Sequence, residues 1–456
     1  MSKEATNSLP EPESGPSALF ELEPPASPPP VVLTGTARVR RPDRHQLRMQ
    51  TFSLEGLLAE DHQARVVWEY VEGLDLSCLY AVIRAVEGRP GRDRIDPRIL
   101  MALWLYATLD GVGSARQVAR LCEEHVAYQW ICGGVSVNYH TLSDFRTGNV
   151  ELLDRLLTQS VAALMHEDLV TLQRVAQDGM RVRANAGTSS FRRGPKLERL
   201  EAEAREQVEA LRKELQDDPG ACSRRQQTAR ARARRERQER IARARQVLPE
   251  VQAKKPPAKQ DQARASSTDA DARFMKMGDG GIRPAVNVQL ATDTQSQIIT
   301  GVEVSNNGSD MGQLAPMLDQ HKDRYGQPPG EMLADGGFAA RADIDSAARA
   351  EPPTTVYAPV QKSRKEEGKM CYDRQPGDTE AVAQWRQRMA TPEAKEVYKE
   401  RAATAECVNA LARNRGMQQF LVRGLRKIKA VVLWFALAHN LVRAAFLRQQ
   451  AAVAMA

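Results

Sequence analysis

The stretch LVTLQRVAQDGMRVRANA, residues 169–186, decides the architecture. Before it the text is helical, and here the pattern changes to a strand-like run with an aspartate, Asp178, at its expected end. The next strand does not come at once. From Gly194 to about Thr268 stand KLERLEAEAREQVEALRKELQ (196–216) and SRRQQTARARARRERQERIARARQVLPEVQ (223–252). Both are rich in helix formers and opposite charges at i, i+4 spacing, and both are too poor in apolar residues to form a core. Leu197, Leu200, Ala204, Val208 and Leu211 recur at heptad-like spacing, enough for a coiled-coil-like helical hairpin that turns at Asp217–Gly220. The plain reading of this insertion is a solvated hairpin. The sharper one is that its arginine-dense second arm faces DNA.

Strand text returns in RPAVNVQLATDTQSQIITGVEVSN (283–306), a hairpin expected to turn at Thr292–Gln295. Then come a helix, DMGQLAPMLDQHKDRYG (310–326), a short strand into an acidic turn, EMLADGG (331–337), a helix from Phe338, a strand, TTVYAPV (354–360), and the helix VYKERAATAECVNALARNRG (397–416). The predicted order is strand, inserted helices, hairpin, helix, strand, helix, strand, helix, which is a mixed-sheet α/β domain interrupted after its first strand.

Upstream, residues 54–74, 97–112, 114–134 and 138–167 read as a compact all-α unit. Asp96 precedes a helix-opening Pro97, Ser114 stands three before Gln117, and Gly111, Gly113, Gly133 and Gly134 mark turns. The first thirty residues are proline-rich and acidic and read as a disordered lead-in. The predicted organisation is therefore a tail at 1–49, an all-α domain at 50–165, the start of the α/β domain at 166–193, the insertion and linker at 194–268, the rest of the α/β domain at 269–448, and a tail at 449–456.

At 456 residues the chain is too long for one small module, and 65 Lys+Arg against 58 Asp+Glu give a net charge of +7 that favours a polyanionic partner. Six scattered cysteines without a CxxC pair argue against a zinc cluster or a disulfide framework. The most apolar stretch, near 428–447, is interrupted by Lys429, His439, Asn440 and Arg443, so a soluble, cytoplasmic protein is expected.

Three carboxylates stand where such a sheet would need them: Asp178 on the first strand, Asp335 after the fourth, and Glu406 on the later helix. Acids at adjacent strand ends, completed by one from a helix, can hold two Mg²⁺ ions about 4 Å apart for phosphodiester cleavage and strand transfer. On a regular helix, Arg401 and Glu406 would lie about 140° apart, with Arg413 nearly in phase with Glu406 and Glu400 out of phase as a rival ligand. Asp310 reads as an N-terminal helix cap, and His439 and Asn440 as packing groups.

These residues carry a resemblance. VAQDGMRVRANAG (175–187), residues 271–294, EMLADGGFAARADI (331–344) and residues 398–446 resemble bacterial insertion-sequence DDE transposases with an RNase H-like catalytic domain, and residues 94–146 resemble their InsH-like N-terminal domain. The resemblance implies Asp178, Asp335 and Glu406 as ligands of Mg²⁺ or Mn²⁺. It implies double-stranded DNA as partner, with terminal inverted repeats and target both bound, and an active homo-oligomer that is at least a dimer. It also implies that Tyr398 and Arg401 contact the element's end, with Arg413 in the place of the lysine that the family's signature would put at Ala412. The basic stretch around Arg423 and Lys427 is a further candidate grip on phosphates. The alternatives are another RNase H-like metal-dependent nuclease and a non-catalytic DNA-binding protein derived from a transposase.

Overall fold

A computed structural model describes residues 45, 51, 53–86, 88, 93–217, 223–361 and 372–455. Most of the proline-rich lead-in, and with it the expectation of a disordered tail, lies outside the described residues, as do Cys222 and Cys371.

The N-terminal text folds into α1 (Gln63–Glu72), α2 (Ser77–Ala81), α3 (Pro97–Leu109), α4 (Ala115–Glu124), α5 (Val126–Cys132), α6 (Tyr139–Gly148) and α7 (Val150–His166). The starts obey local chemistry. Asp96 accepts the Arg98 amide at 2.8 Å behind Pro97, and Ser114, His125 and Asn138 cap α4, α5 and α6 with their side chains. Helix α3 is buried along nearly its whole length, and Trp104 inside it donates its indole N–H to the Leu142 carbonyl at 2.9 Å.

Next come β1 (Arg174–Arg183), β2 (Phe191–Arg192), α8 (Gly194–Asp217), α9 (Arg224–Ala253), β3 (Ala265–Ser266), β4 (Arg273–Lys276), β5 (Ile282–Asp293) and β6 (Ile299–Ser305). The chain ends through α10 (Leu314–Tyr325), β7 (Glu331–Ala334), α11 (Arg341–Arg349), β8 (Thr355–Tyr357), α12 (Glu380–Ala390), α13 (Pro392–Arg401), α14 (Cys407–Asn414) and α15 (Leu425–Met455). The main sheet runs β4-β5-β1-β7-β8, with β6 also paired to β5. Strands β4, β5, β6 and β1 pair antiparallel, while β7 and β8 run parallel to β1. The fold is mixed α/β.

Two local expectations change. Strand β1 does not end at Asp178 but continues to Arg183, because β5 pairs with it residue by residue from Val175 to Arg183. The β5–β6 turn falls later than Thr292–Gln295. The Asp293 carboxylate folds it by accepting the Ser296 amide and hydroxyl at 2.8 and 2.6 Å, and Gln297 takes φ +59°.

The insertion is a helical hairpin, α8 against α9. Leu197, Ala204 and Leu211 are buried, and Leu197 clusters with Ala244, Val247 and Leu248. Arg245 pairs with Glu201 at 2.5 Å and Arg230 with Glu214 at 2.8 Å across the hairpin, exposed contacts worth little each.

Helix α15 ties the molecule together. By length and hydropathy it is one helix that could cross a membrane, yet 67% of its most apolar window is buried inside the protein. Trp434 bonds the Arg146 carbonyl of α6 at 2.9 Å, and Asn440 accepts the Ile299 amide and donates to the Ile299 carbonyl of β6, both at 2.8 Å. His439 meets the Gln297 carbonyl at 2.9 Å. A single hydrophobic cluster therefore runs from Leu58 through the sheet to Ala444.

Candidate active site

The parallel ladder between β1 and β7 ends with Gln177 opposite Ala334, so Asp178 on β1 and Asp335, the first residue after β7, each follow one member of that last pair. Asp335 lies outside the ladder and folds onto the Gly336 amide at 2.5 Å. Asp178 is held by three donors: the Gly179 amide at 3.0 Å, Asn409 Nδ2 at 2.8 Å and Arg401 Nη2 at 2.9 Å. Burial raises the Asp178 carboxyl above the usual range, and the Arg401 charge and these hydrogen bonds oppose that rise.

Glu406 reaches the site through Arg401, whose Nη1 bonds Glu406 Oε1 at 2.7 Å while its Nη2 holds Asp178. One guanidinium thus bridges the strand acid and the helix acid. The two residues are five apart, and a regular helix would separate them. They meet because Ala402–Glu406 forms a π turn between α13 and α14, which resets the phase. Arg401 is only 8% exposed. Its charge is engaged among the acids, and its pKa is raised by Asp178, Tyr398 and Asp335 against the effect of burial.

One sequence reading is corrected and one residue is added. Asp310 does not cap α10, which has no side-chain cap. Its carboxylate takes Asn287 Nδ2 at 2.7 Å, Gln289 Nε2 at 2.8 Å and Arg181 Nη2 at 3.1 Å, and it fills the space beside Gly179, where an added Cβ would sit 2.1 Å from Asp310 Oδ1. The sequence signal for this was Gly179 itself, a small residue beside a proposed ligand. Asn409 was missed as well; its i, i+3 spacing from Glu406 was the clue, and its Oδ1 is buried without a partner.

The remaining proposed residues lie around this centre. Tyr398 is half-buried, close enough to Arg401, Asp335 and Glu406 to feel their charges, and burial pushes its hydroxyl pKa up. Ala412 is buried and Arg413 exposed on α14. Arg423 and Lys427 are exposed and share a cavity of about 620 Å³ with Arg240 and Arg243 of α9. Glu400 pairs with Arg174 at 2.5 Å.

Among the described residues, no three His, Cys, Asp or Glu side chains stand together as a ready metal cluster. The donors are of the kind a hard cation takes: the Asp178 and Glu406 carboxylates, both bonded to the one Arg401 guanidinium, and the unpartnered Asn409 amide oxygen beside Asp178.

The architecture is a mixed α/β sheet with one aspartate on β1, a second just after β7, and a glutamate in the π turn joined to the first through Arg401. Residues 52–148 match the family Transposase domain (DUF772), and residues 361–445 match the family Transposase DDE domain. Together the two matches support an insertion-sequence DDE transposase, and the second points to an enzyme of nucleotidyl-transferase or nuclease kind. Of the three acids, Glu406 falls within the matched span. No curated protein and no solved structure matches the chain.

Proposed function

We propose that the protein binds the terminal inverted repeats of its element, cleaves DNA at those ends and joins the freed 3′-OH ends to target DNA, with Asp178, Asp335 and Glu406 as ligands of Mg²⁺ or Mn²⁺. The observation that carries this is that Asp178 on β1 and Asp335 just after β7 both follow the last pair of the parallel ladder, with Glu406 joined to Asp178 through Arg401. The strand order β6-β5-β1-β7-β8, with the insertion after β1, supports the RNase H-like reading.

Divalent cations, when bound, supply charge stabilisation to a cleaved phosphodiester and lower the pKa of an attacking water. The chain's own part is orientation. Asn409 fixes the Asp178 carboxylate, Gly336 fixes Asp335, and Arg401 neutralises Asp178 and Glu406 by pairing with both. Tyr398 and Arg413, at the rim of the site, and Arg423 and Lys427, beside α9, are the proposed contacts to the DNA backbone. Arg401 belongs with the acids, and its contact with an element end would require it to swing out. The active form is proposed to be at least a dimer, since two ends must be held, and the protein to act in the cytoplasm.

The test is cleavage of a labelled duplex carrying the DNA that flanks the coding region, with Mg²⁺ present. Asp335→Asn should lower the rate by orders of magnitude while duplex binding persists. Cleavage at the unmodified rate would overturn the ligand assignment. Cleavage by the wild-type protein without any strand-transfer product would favour a nuclease.

A further inference from the structure

A cavity of about 400 Å³ lies where the α3–α4 turn meets the turn after α14. The two turns pack backbone on backbone. Gly111 and Gly416 both take positive φ, +71° and +87°, and a Cβ on Gly416 would sit 3.0 Å from the Gly111 carbonyl oxygen, so only glycines permit this approach. Two arginines, Arg146 and Arg415, line the cavity, and none of its lining residues is acidic.

Their state is unusual. Arg146 is 9% exposed, lies over the Trp104 ring at 4.5 Å and donates to the Gly113 carbonyl, yet its buried Nε has no partner. Arg415 is half-buried, and its buried Nη1 has no partner either. Among the described residues neither forms an ion pair with a carboxylate. Burial alone depresses both, Arg146 to about 10, and no acid offsets it. A buried guanidinium normally has a charged partner, because an uncompensated buried charge is strongly destabilising. Arg146 is such a group, and a second, half-buried arginine without a carboxylate partner on the same cavity marks a place for an anion. The N-terminus of α4 opens at the same cavity through Ser114 and Gln117, adding positive potential.

The position says which anion. Arg183, at the end of β1, bridges to Gln419, and the Phe420 amide donates to the Arg183 carbonyl at 2.9 Å, so this loop is stitched to the strand that carries Asp178. Five strand residues separate Asp178 from Arg183, about 17 Å. The cavity also shares Arg146 and Leu421 with a second one, of about 770 Å³, that runs between α6 and α9.

We infer that Arg146 and Arg415 form a phosphate site that holds one backbone phosphate of a DNA strand, about five strand residues from the acids. The planar forks of two arginines suit phosphate oxygens, and the volume admits one phosphate with its sugar, not a duplex. The DNA source rests on the function proposed above; the anion site does not.

The experiment uses the full chain and two probes, inorganic phosphate and a short labelled duplex of arbitrary sequence. Phosphate should raise the unfolding midpoint of the wild-type protein in a saturable way beyond chloride at matched ionic strength. Arg415→Gln should abolish that response. Arg146→Lys keeps the charge but loses the fork, and it should weaken the response if the full chain stays folded. In duplex titrations Arg415→Gln should lower affinity several-fold and reduce the slope of log K against log salt by about 1. A wild-type protein indifferent to phosphate, or an Arg415→Gln protein that keeps the response, overturns the site. A lost phosphate response with an unchanged salt slope overturns the DNA assignment. Should the arginine results hold while no variant or wild-type protein cleaves DNA, the proposed function fails and the phosphate site stands.

Discussion

At the scale of single residues, the Arg401 guanidinium joins Asp178 to Glu406, and the Asp310 carboxylate fills the space beside Gly179. Asp178, Asp335 and Glu406 were readable as acids beside turns and glycines, and the structure sets the first two just past the last pair of the β1–β7 ladder and ties the third to Asp178 through Arg401. Asp310 and Asn409 were not readable in those roles, because both act across the tertiary structure. Asp310 reaches back to Gly179 over a sequence separation that no local pattern encodes. Gly179→Ala should accordingly destabilise the fold by roughly 1–3 kcal/mol, the usual cost of overpacking. Asp310→Ala should recover part of that loss in a double-mutant cycle followed by denaturant unfolding, and strictly additive effects would contradict the packing. Arg401 occupies the space between two acids, so Arg401→Gln should enlarge the rise in unfolding midpoint that Mn²⁺ produces; an unchanged rise would show that the guanidinium does not compete with the ion.

At the scale of elements, periodicity gave most helices and strands, since apolar spacing and caps are local signals. The exceptions are where long-range pairing or backbone irregularity rules. Strand β1 outlasts Asp178 because β5 pairs along it, and the expected single helix at 397–416 is split by the π turn. A π turn adds one residue to a helical turn and has no propensity signature, so reasoning at 100° per residue put Arg401 and Glu406 apart. Deletion of Ala403 should convert the turn to regular helix with Arg401 and Glu406 four positions apart, about 40° on the helix and so still on one face. The expected outcome is a folded protein, judged by circular dichroism, that keeps cleavage of element-end DNA; lost cleavage would mean that the turn places Glu406 by more than its phase with Arg401.

At the scale of the whole molecule, the sequence divided the chain into modules, whereas the core is continuous from Leu58 to Ala444 through α15. Residues 425–455 read as an apolar helix in any frame, but their partners on α6, β6 and the β5–β6 turn are visible only in three dimensions. Two buried histidines sit in this shared core. His321, between Thr300 and the Met317 carbonyl, and His439 both have pKa values pushed down to about 4 by burial. Their neutral forms support the fold. The unfolded chain takes up these protons near pH 6.5 and the folded one only near 4, so stability is fully present above about 6.5 and falls across that window as pH drops. Each histidine should contribute on the order of 3 kcal/mol to that fall, and His321→Gln should flatten the pH dependence of urea unfolding; an unchanged profile would contradict the neutral, buried assignment.

The central claim is that Asp178, Asp335 and Glu406 are one reaction centre. Its most direct test is Mg²⁺-dependent cleavage of duplex DNA bearing the sequence that flanks the coding region, measured for Asp178→Asn, Asp335→Asn and Glu406→Gln, singly and combined, alongside duplex binding. Each single change should remove cleavage by orders of magnitude, the triple change should cost little more than one, and binding should survive. Independent, multiplicative losses, or a variant that cleaves at the wild-type rate, would contradict that claim.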